Sequence, residues 1–231
     1  MSTDPTVDYD QLLPAEFDAR VAAMPVVYQP IGCMEWHGTH LPLGLDGLKA
    51  HEVCRAAARH AGGIVMPPFH LGIHPAFVMK PFHRSHNLYI SKDLLNRWVR
   101  ESVDQFQGVG FKVVALVTGH FPQYQGVYLR KLAHEINCLK HGRIAVVVPD
   151  EDEAAKAVLG RPVDHAATWE TSMLMHLRPD LVHIDRLDAL DGIFGEDPRT
   201  TASAEIGRAG SEKFVQVVAD MVTAAMAELS A

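Results

Sequence analysis

Hydrophobic positions along the chain alternate between short continuous runs and longer stretches with helical spacing. The predicted strands are 25–34, 63–68, 111–119 and 143–150, and 111–119 has the continuous apolar character of a strand that is buried on both faces. The stretches with helical spacing or composition are 47–63, 91–110, 125–142, 165–177 and 211–229. Because strands and helices alternate, the pattern predicts an α/β fold with a mainly parallel sheet covered on both faces.

The sequence contains no internal repeat and no low-complexity linker, so residues 1–231 are predicted to form a single domain. In the helix predicted over 91–110, Ser91 is expected to be the N-cap. The apolar stripe of that helix consists of Leu94, Leu95, Trp98, Val103 and Phe106.

Composition excludes several classes of protein. Hydrophobic residues make up 48% of the chain and charged residues 21%, as in ordinary globular proteins. The formal net charge of -7 argues against a nucleic-acid-binding surface, which needs clustered Lys and Arg. The longest apolar runs are too short to span a bilayer, and the polar, acidic start of the chain does not resemble a secretory signal.

Cysteine usage points to a reducing compartment. The three cysteines, Cys33, Cys54 and Cys138, are odd in number and show no C-x-x-C spacing. A disulfide framework or a thiolate zinc site is therefore not expected. We expect a soluble cytoplasmic protein that binds neither membranes nor nucleic acids and acts on a small molecule.

The first group of candidate site residues follows the first predicted strand. In the segment "IGCMEWHGTHLPLGLDG", Glu35 and His37 are two residues apart, so in an extended chain their side chains point to the same face. Asp46 lies at the start of the next predicted helix. Two simpler interpretations stay open, a solvated edge for Glu35 and His37 and a helix N-cap for Asp46.

A second candidate, His120, lies in "TGHFPQ" at the end of the most hydrophobic predicted strand. A lone histidine is more often structural than a ligand. Ligands of parallel sheets, however, bind beyond the carboxyl ends of the strands, and both His120 and the first group lie there.

The third candidate is Glu170, in "HAATWETSMLMHL". On a helix it lies within an apolar stripe formed by Ala166, Ala167, Met173, Leu174 and Leu177. A buried carboxylate needs a partner, and no Lys or Arg lies within helical reach. The partner must come from elsewhere in the fold, and it is expected to be a metal cation or an arginine from another segment.

These candidates form a mixed nitrogen and oxygen ligand set, which suits zinc, manganese or iron. The set consists of Glu35, His37, Asp46, His120 and Glu170. Five ligands that include three carboxylates exceed what one tetrahedral ion needs. The set therefore favours two divalent metal ions per chain, with one carboxylate bridging them.

Several motifs, in the right order from about residue 25 to the C-terminus, resemble those of the creatininase (creatinine amidohydrolase) family. "GCMEWHGTHLPLGLD" resembles the family pattern Glu-x-His-Gly-x-His-Leu-Pro-Leu-Gly-x-Asp, and "TGHFPQ" is similar to its Asn-Gly-His segment. "HAATWETSMLMHLRPDLV" is similar to its His-Ala-x-x-x-Glu-Thr-Ser helix, and "GIFGEDPRTTASAEIG" resembles the segment before its last helix.

The resemblance implies a three-layer αβα sandwich, a dinuclear metal centre and homo-oligomers that are often hexamers. It also implies hydrolysis of non-peptide amides such as a creatinine ring or a formamide. By position, Glu35 and His120 would hold one metal and His37 the other, with Asp46 bridging. Glu170 would complete the second metal site or stand directly behind it.

Two departures from the family concern the second metal and the pocket. Creatininase itself has a glutamate ligand two residues after the metal histidine, where this chain has Pro122, so the second metal depends more heavily on Glu170. The middle of the chain lacks an expected Gly-Thr step and instead carries His70, His74, His83 and His86. The metal ligands are thus expected to be retained in a rebuilt pocket.

The leading hypothesis is metal-dependent hydrolysis of a small amide, cyclic amide or formamide. Glu170 or Asp46 would accept a proton from water, and His165, near its ordinary pKa, would donate one to the leaving nitrogen. The residues expected to contact substrate are Trp169, Phe121, Gln123 and Trp36. Core packing explains each of the three aromatic residues equally well.

Two other functions stay open at this point. The same metals could polarise a hydroxy-carbonyl compound in an isomerase or lyase, which the altered "HFPQ" loop permits. Alternatively, the protein could bind metal without turnover. A nucleotide-binding module has no support, because the chain has neither a G-x-G-x-x-G after a strand nor a Walker sequence.

Overall fold

A parallel sheet lies at the centre of the computed structural model, which describes residues 6–74, 86–120 and 122–230. Four strands form this sheet in the order β2-β1-β5-β6, and every pair is parallel. A second, two-stranded parallel sheet pairs β3 with β4. The strands are β1 (Val26–Ile31), β2 (Ile64–Val65), β3 (Gly72–Ile73), β4 (Tyr89–Ile90), β5 (Val113–Thr118) and β6 (Ala145–Val147).

Helices cover both faces of the main sheet. They are α1 (Pro14–Ala23), α2 (Leu45–Ala61), α3 (Lys92–Gly108), α4 (Val127–Leu139), α5 (Glu151–Leu159), α6 (Thr168–Leu177), α7 (Pro198–Thr201) and α8 (Ala204–Ser230). A π-helical turn, Pro122–Gly126, precedes α4.

Side chains of the sheet alternate between two hydrophobic clusters. In β1, Val26 and Tyr28 pack with α2, α5, α6 and α8, whereas Val27 and Ile31 pack with α3 and α4. All six residues of β1 and all six of β5 are buried, as expected for parallel strands that are covered on both faces. The predicted three-layer αβα sandwich with a parallel central sheet is confirmed.

The register of the central strands brings chemically active segments together. Ile31 at the end of β1 pairs with Thr118 at the end of β5. The segments that leave the two strands, which carry Glu35 and His120, therefore start side by side at the carboxyl edge of the sheet.

Several element boundaries differ from the prediction. The helix predicted from 165 begins at Thr168, because Ala166 has a positive φ of 55° that a helix cannot contain. Helix α8 begins at Ala204, earlier than the predicted 211. Helices α1 and α5 were not predicted. Helix α1 buries no residue and so leaves only a weak hydrophobic signal.

Within the described residues, none of the helices combines the length and the apolar character that a membrane span requires.

The N-cap of α3 can be tested directly. The Ser91 hydroxyl accepts a hydrogen bond from the backbone N–H of Leu94 at 3.1 Å, as the sequence predicted. Ser91→Ala should lower the free energy of unfolding by about 1 kcal/mol, because that N–H loses its acceptor. Urea denaturation measures the change. Ser102→Ala, inside the same helix, is the control, and an equal loss in both variants would contradict the capping role.

Candidate metal centre

Two glycines allow the start of α2 to lie against the ends of β1 and β5. A Cβ atom on Gly119 would overlap the carbonyl oxygen of Asp46, and one on Gly32 would overlap the backbone nitrogen of Gly47. The absence of side chains at these two positions therefore lets the helix approach both strands closely. As a result, Asp46 in the first turn of α2 lies directly beside the segments that follow the two strands.

The carboxylate of Asp46 faces a different imidazole with each of its oxygens. Oδ1 lies 3.1 Å from Nε2 of His37, and Oδ2 lies 3.1 Å from Nδ1 of His120. Asp46 and both histidines are each 1% exposed, so water does not screen these contacts. Asp46 therefore links two groups of polar side chains in the protein interior.

Backbone carbonyls hold one ring nitrogen of each histidine. Nδ1 of His37 lies 3.0 Å from the carbonyl oxygen of Glu35, and Nε2 of His120 lies 3.2 Å from that of Ile73. A carbonyl oxygen can only accept, so these nitrogens donate their hydrogens. The other ring nitrogen of each histidine, Nε2 of His37 and Nδ1 of His120, faces carboxylates. Metal-binding histidines have the same arrangement, because one ring nitrogen binds the metal while a neighbouring group accepts the hydrogen bond from the other.

Glu35 completes the side of the cluster around His120. Its Oε2 lies 3.1 Å from Nδ1 of His120, and its Oε1 accepts a hydrogen bond of 2.8 Å from the hydroxyl of Tyr89. Asn87 in turn donates to that hydroxyl at 2.9 Å. This chain of hydrogen bonds orients Glu35 so that Oε2 points into the cluster. Tyr89 was not predicted, because an isolated tyrosine in a short strand can serve many purposes.

The carboxylates change the protonation of the histidines. Burial opposes a positive charge, yet the carboxylates of Asp46 and Glu170 raise the pKa of His37 to about 9. Burial likewise opposes ionisation of Glu35, but His120 lowers its pKa to about 2. The pKa of His120 is also raised well above its ordinary value, against burial, by Cys33, Glu35 and Asp46. Protons on His37 and His120 thus neutralise the carboxylates of the cluster. A divalent cation bound there would neutralise the same carboxylates.

Glu170 is buried as predicted, with 3% exposure, and each of its oxygens has its own environment. Oε2 accepts a hydrogen bond of 2.8 Å from the backbone N–H of Ala166 and lies 3.5 Å from Nε2 of His37. Oε1 lies 3.2 Å from Nζ of Lys49, a residue of α2. The expected partner, a metal cation or an arginine, is corrected in part, because a lysine ammonium neutralises one side of Glu170.

Lys49 and its second partner, Glu151, were not predicted. Lys49 precedes Val53 by four residues and Ala57 by eight, so it lies on the face of α2 that packs into the core. A lysine at such a position was the available signal. Its partners could not be predicted from the sequence, because Glu151 and Glu170 belong to distant segments of the chain.

The side chains group into candidate metal sites whose ligand atoms lie within 4.8 Å of one another. Among the described residues, Glu35 Oε2, His37 Nε2 and Asp46 Oδ1 are buried and make imidazole–carboxylate contacts at 3.1 Å, but none of the three makes a well-directed hydrogen bond. Buried polar atoms are normally satisfied, so these atoms fit a divalent metal ion. The groups are Cys33, Glu35, Asp46 and His120; His37, Asp46 and Glu170; and Glu35, His37 and His165.

All five residues predicted as metal ligands thus lie together. The structure adds the thiol of Cys33 to the first group, although the cysteine spacing had argued against a thiolate site. Cys33 follows β1 two residues before Glu35, so the same close approach of strand end and helix brings it to the cluster.

His165 lies beside the cluster but not with the ordinary pKa that the sequence suggested. Its ring centroid is 4.5 Å from that of His37, and its Nδ1 is 3.9 Å from Oε2 of Glu170. Its Nε2 donates to the backbone carbonyl of Trp36 at 3.0 Å. Burial and the neighbouring His37 lower the pKa of His165, so the imidazole is predominantly neutral near pH 7.

The residues predicted to contact substrate lie in different environments. Trp36 is half-buried, with its backbone carbonyl held by His165 and its indole N–H directed to the carbonyl of Asp191 at 3.4 Å. Gln123 donates to Asp152 at the start of α5, at 2.7 Å. Phe121 and His83 lie outside the described residues.

The interpretation of Trp169 as a pocket wall is wrong. Its side chain is completely buried in the hydrophobic core between α6 and α8, where its ring packs against Gly210. Its indole N–H donates to Glu151 at 2.8 Å. The physical reason is that α6 buries the face carrying Trp169 against the long C-terminal helix, away from solvent.

The chain is similar to known proteins. The family model for creatininase, described as creatinine amidohydrolase, matches residues 10–222. The chain belongs to the creatininase family. The family assignment made from the motifs is therefore confirmed, and with it the class of metal-dependent amidohydrolase.

Individual creatininases resemble the whole chain. Creatinine amidohydrolase from Pseudomonas putida is 27% identical over 244 residues, which cover 90% of this chain and 92% of that protein. A mutant creatininase complexed with creatine is 26% identical with a TM-score of 0.78, covering 94% of this chain and 97% of that chain. The creatininase structure designated Mn is 25% identical, with the same TM-score and the same coverage.

The close approach at Gly119 makes a prediction about the cluster. Gly119→Ala should displace the backbone at Asp46, lowering bound zinc and destabilising the fold by about 1–3 kcal/mol through overpacking. Zinc content by mass spectrometry and thermal unfolding measure both effects. Gly108→Ala is the matched control, because a Cβ there meets nothing within 4 Å. Normal zinc content in Gly119→Ala would show that Asp46 does not depend on this approach.

Proposed function

We propose that the protein hydrolyses a small non-peptide amide, cyclic amide or formamide, using two divalent metal ions held around Asp46. The observation that carries the proposal is the division of Asp46 between two groups, with one oxygen at 3.1 Å from His37 and the other at 3.1 Å from His120. A carboxylate that faces two sets of ligands is what a bridging ligand requires.

In this proposal Glu35 and His120 would hold one ion, His37 and Glu170 would hold the other, and Asp46 would be shared. The nitrogen and oxygen donors suit zinc, manganese or iron. When bound, such ions polarise a substrate carbonyl and make a water molecule acidic enough to lose a proton near neutral pH. The remaining chemistry belongs to the side chains around them.

Proton transfer in the proposed reaction depends on Glu170 and His165. Oε1 of Glu170 is engaged by Lys49, and Oε2 would hold the second ion, so His165 is left to take the proton from a water beside Oε2. Nδ1 of His165, 3.9 Å from this oxygen, receives the proton and passes it to the leaving nitrogen. The lowered pKa of His165 supports this role, because a neutral imidazole can accept a proton and then release it readily.

The proposed substrate class rests on the relatives and on an aromatic side chain next to the candidate ligands. One relative is named for creatinine hydrolysis, and another was solved with creatine. The half-buried indole of Trp36, 5.8 Å from the ring of His86, offers an aromatic surface for a flat molecule. We therefore propose a small, planar, nitrogen-rich amide and assay creatinine first within a panel of cyclic amides and formamides.

The reaction class can be tested with zinc- or manganese-loaded protein in water enriched in heavy oxygen. Hydrolysis should increase the summed product mass by one water and place one heavy oxygen in the acid product. A product of unchanged mass without label would instead indicate an isomerase.

Glu35→Gln tests the proposed ligand set. The amide should weaken binding of the ion near His120, so metal content by mass spectrometry should fall and turnover should be lost, because a neutral oxygen is a poorer ligand. Glu205→Gln, an exposed position at the start of α8, is the control. Unchanged metal content in Glu35→Gln would remove Glu35 from the ligand set.

His165→Ala tests the proposed proton transfer. Bound metal should be retained, while kcat should fall by about 10²–10⁴, the usual contribution of a positioned acid or base. His60→Ala, at an exposed position near the end of α2, should have neither effect. Full activity in His165→Ala, measured under saturating substrate, would end the proposed role.

A further inference from the structure

We infer that Lys49 is a positioning residue that holds Glu170 as a one-oxygen ligand of the second metal. The inference rests on the proposed function, because it concerns the site formed by His37, Asp46 and Glu170. Nothing in the family motifs points to Lys49, and its role follows from the contacts of its ammonium group.

The ammonium of Lys49 is buried with 0% exposure and lies between two carboxylates. Its Nζ is 2.8 Å from Oε1 of Glu151 and 3.2 Å from Oε1 of Glu170. A buried charge persists only when it is paired and hydrogen-bonded, and both conditions are met here. The position of the ammonium is therefore tightly determined by the two carboxylates.

The contact separates the two oxygens of Glu170. Oε1 is held by Lys49, while Oε2 accepts from the backbone of Ala166 and faces His37. Because both ends of the carboxylate are held, its plane cannot turn freely. Glu170 is thus prepared to offer one oxygen to a metal, which leaves room there for water or substrate.

Helix α2 supplies both the shared ligand and the positioning group. Lys49 follows Asp46 by three residues, so the two side chains lie on neighbouring positions of the same helix face. Any shift of α2 would therefore move the bridging carboxylate and the partner of Glu170 together.

Glu151 supplies the countercharge for Lys49. Its Oε1 accepts from Lys49 and also from the indole N–H of Trp169, at 2.8 Å each. The ammonium is therefore balanced by a carboxylate outside the candidate ligand groups. Lys49 can then hold Glu170 by a hydrogen bond without presenting an uncompensated positive charge to the second metal.

A positioning role for Lys49 and a purely structural ion pair predict different effects on the affinities of the two metal sites. Partners that hydrogen-bond to metal ligands typically change metal affinity by about 10–100-fold when they are removed. Loss of Lys49 should weaken the site that contains Glu170 and spare the site that contains Glu35 and His120. A purely structural pair would affect stability, and with it both sites equally or neither.

The test uses the charge-balanced double variant Lys49→Met/Glu151→Gln. Replacing both partners avoids leaving a buried carboxylate without its cation. Glutamine at 151 still accepts the hydrogen bond from Trp169. Zinc is titrated into metal-free full-length protein against a chromophoric chelator, at a pH above the value of about 7 to which burial raises the pKa of Glu151.

We expect the affinity for the second equivalent of zinc to fall about 10–100-fold, with the first equivalent unchanged. Lys49→Arg keeps a cationic donor and should bind the second equivalent more tightly than the double variant. Lys140→Met/Asp104→Asn removes a partly exposed pair joined at 2.7 Å and should change neither affinity.

Two results would overturn the inference: parent-like binding of both equivalents by the double variant, or an equal loss of both. If the double variant does not fold, Lys49→Arg decides the matter, since complete loss of the second equivalent there would contradict a positioning role and its retention would support it. A parent protein that binds at most one equivalent would overturn the dinuclear proposal itself, and the role of Lys49 with it.

Discussion

The approach of α2 to the ends of β1 and β5 is the constraint on which the site depends. Gly32 and Gly119 permit it, because any side chain there would overlap the first turn of the helix. The approach brings the carboxylate of Asp46 out of water and between two imidazoles. Once that carboxylate is buried, the remaining polar groups must arrange themselves to neutralise it, and metal binding follows from the same requirement.

Charge balance explains why the interior tolerates so many acidic groups. The cluster and the region behind it bury four carboxylates, those of Glu35, Asp46, Glu151 and Glu170. Two imidazoles with raised pKa values and the ammonium of Lys49 oppose this negative charge. Buried charges without partners would be strongly destabilising. A divalent cation held by the same carboxylates would take the place of the protons on the imidazoles, and its binding would stabilise the fold.

Membership of the creatininase family and the geometry of this chain answer different questions. The family assigns a metal-dependent amidohydrolase, and the candidate ligand residues of this chain lie close enough together to hold a metal ion. The family assignment does not describe the surroundings of those residues. Lys49 behind Glu170, Cys33 beside the first group and Trp36 at the rim give the site its own electrostatics and shape. The reaction class therefore follows from the ligands, whereas the substrate follows from their surroundings.

The sequence by itself determined the parallel αβα sandwich and the five candidate ligands, because burial and position at strand ends are encoded in local periodicity. It also showed that Glu170 must be buried. Only the tertiary structure decided that Lys49 is its partner, across a separation of 121 residues, and that Trp169 lies in the core. Local pattern reports whether a side chain is buried. It cannot report which distant segment meets that side chain, since this depends on how strands and helices pack in three dimensions.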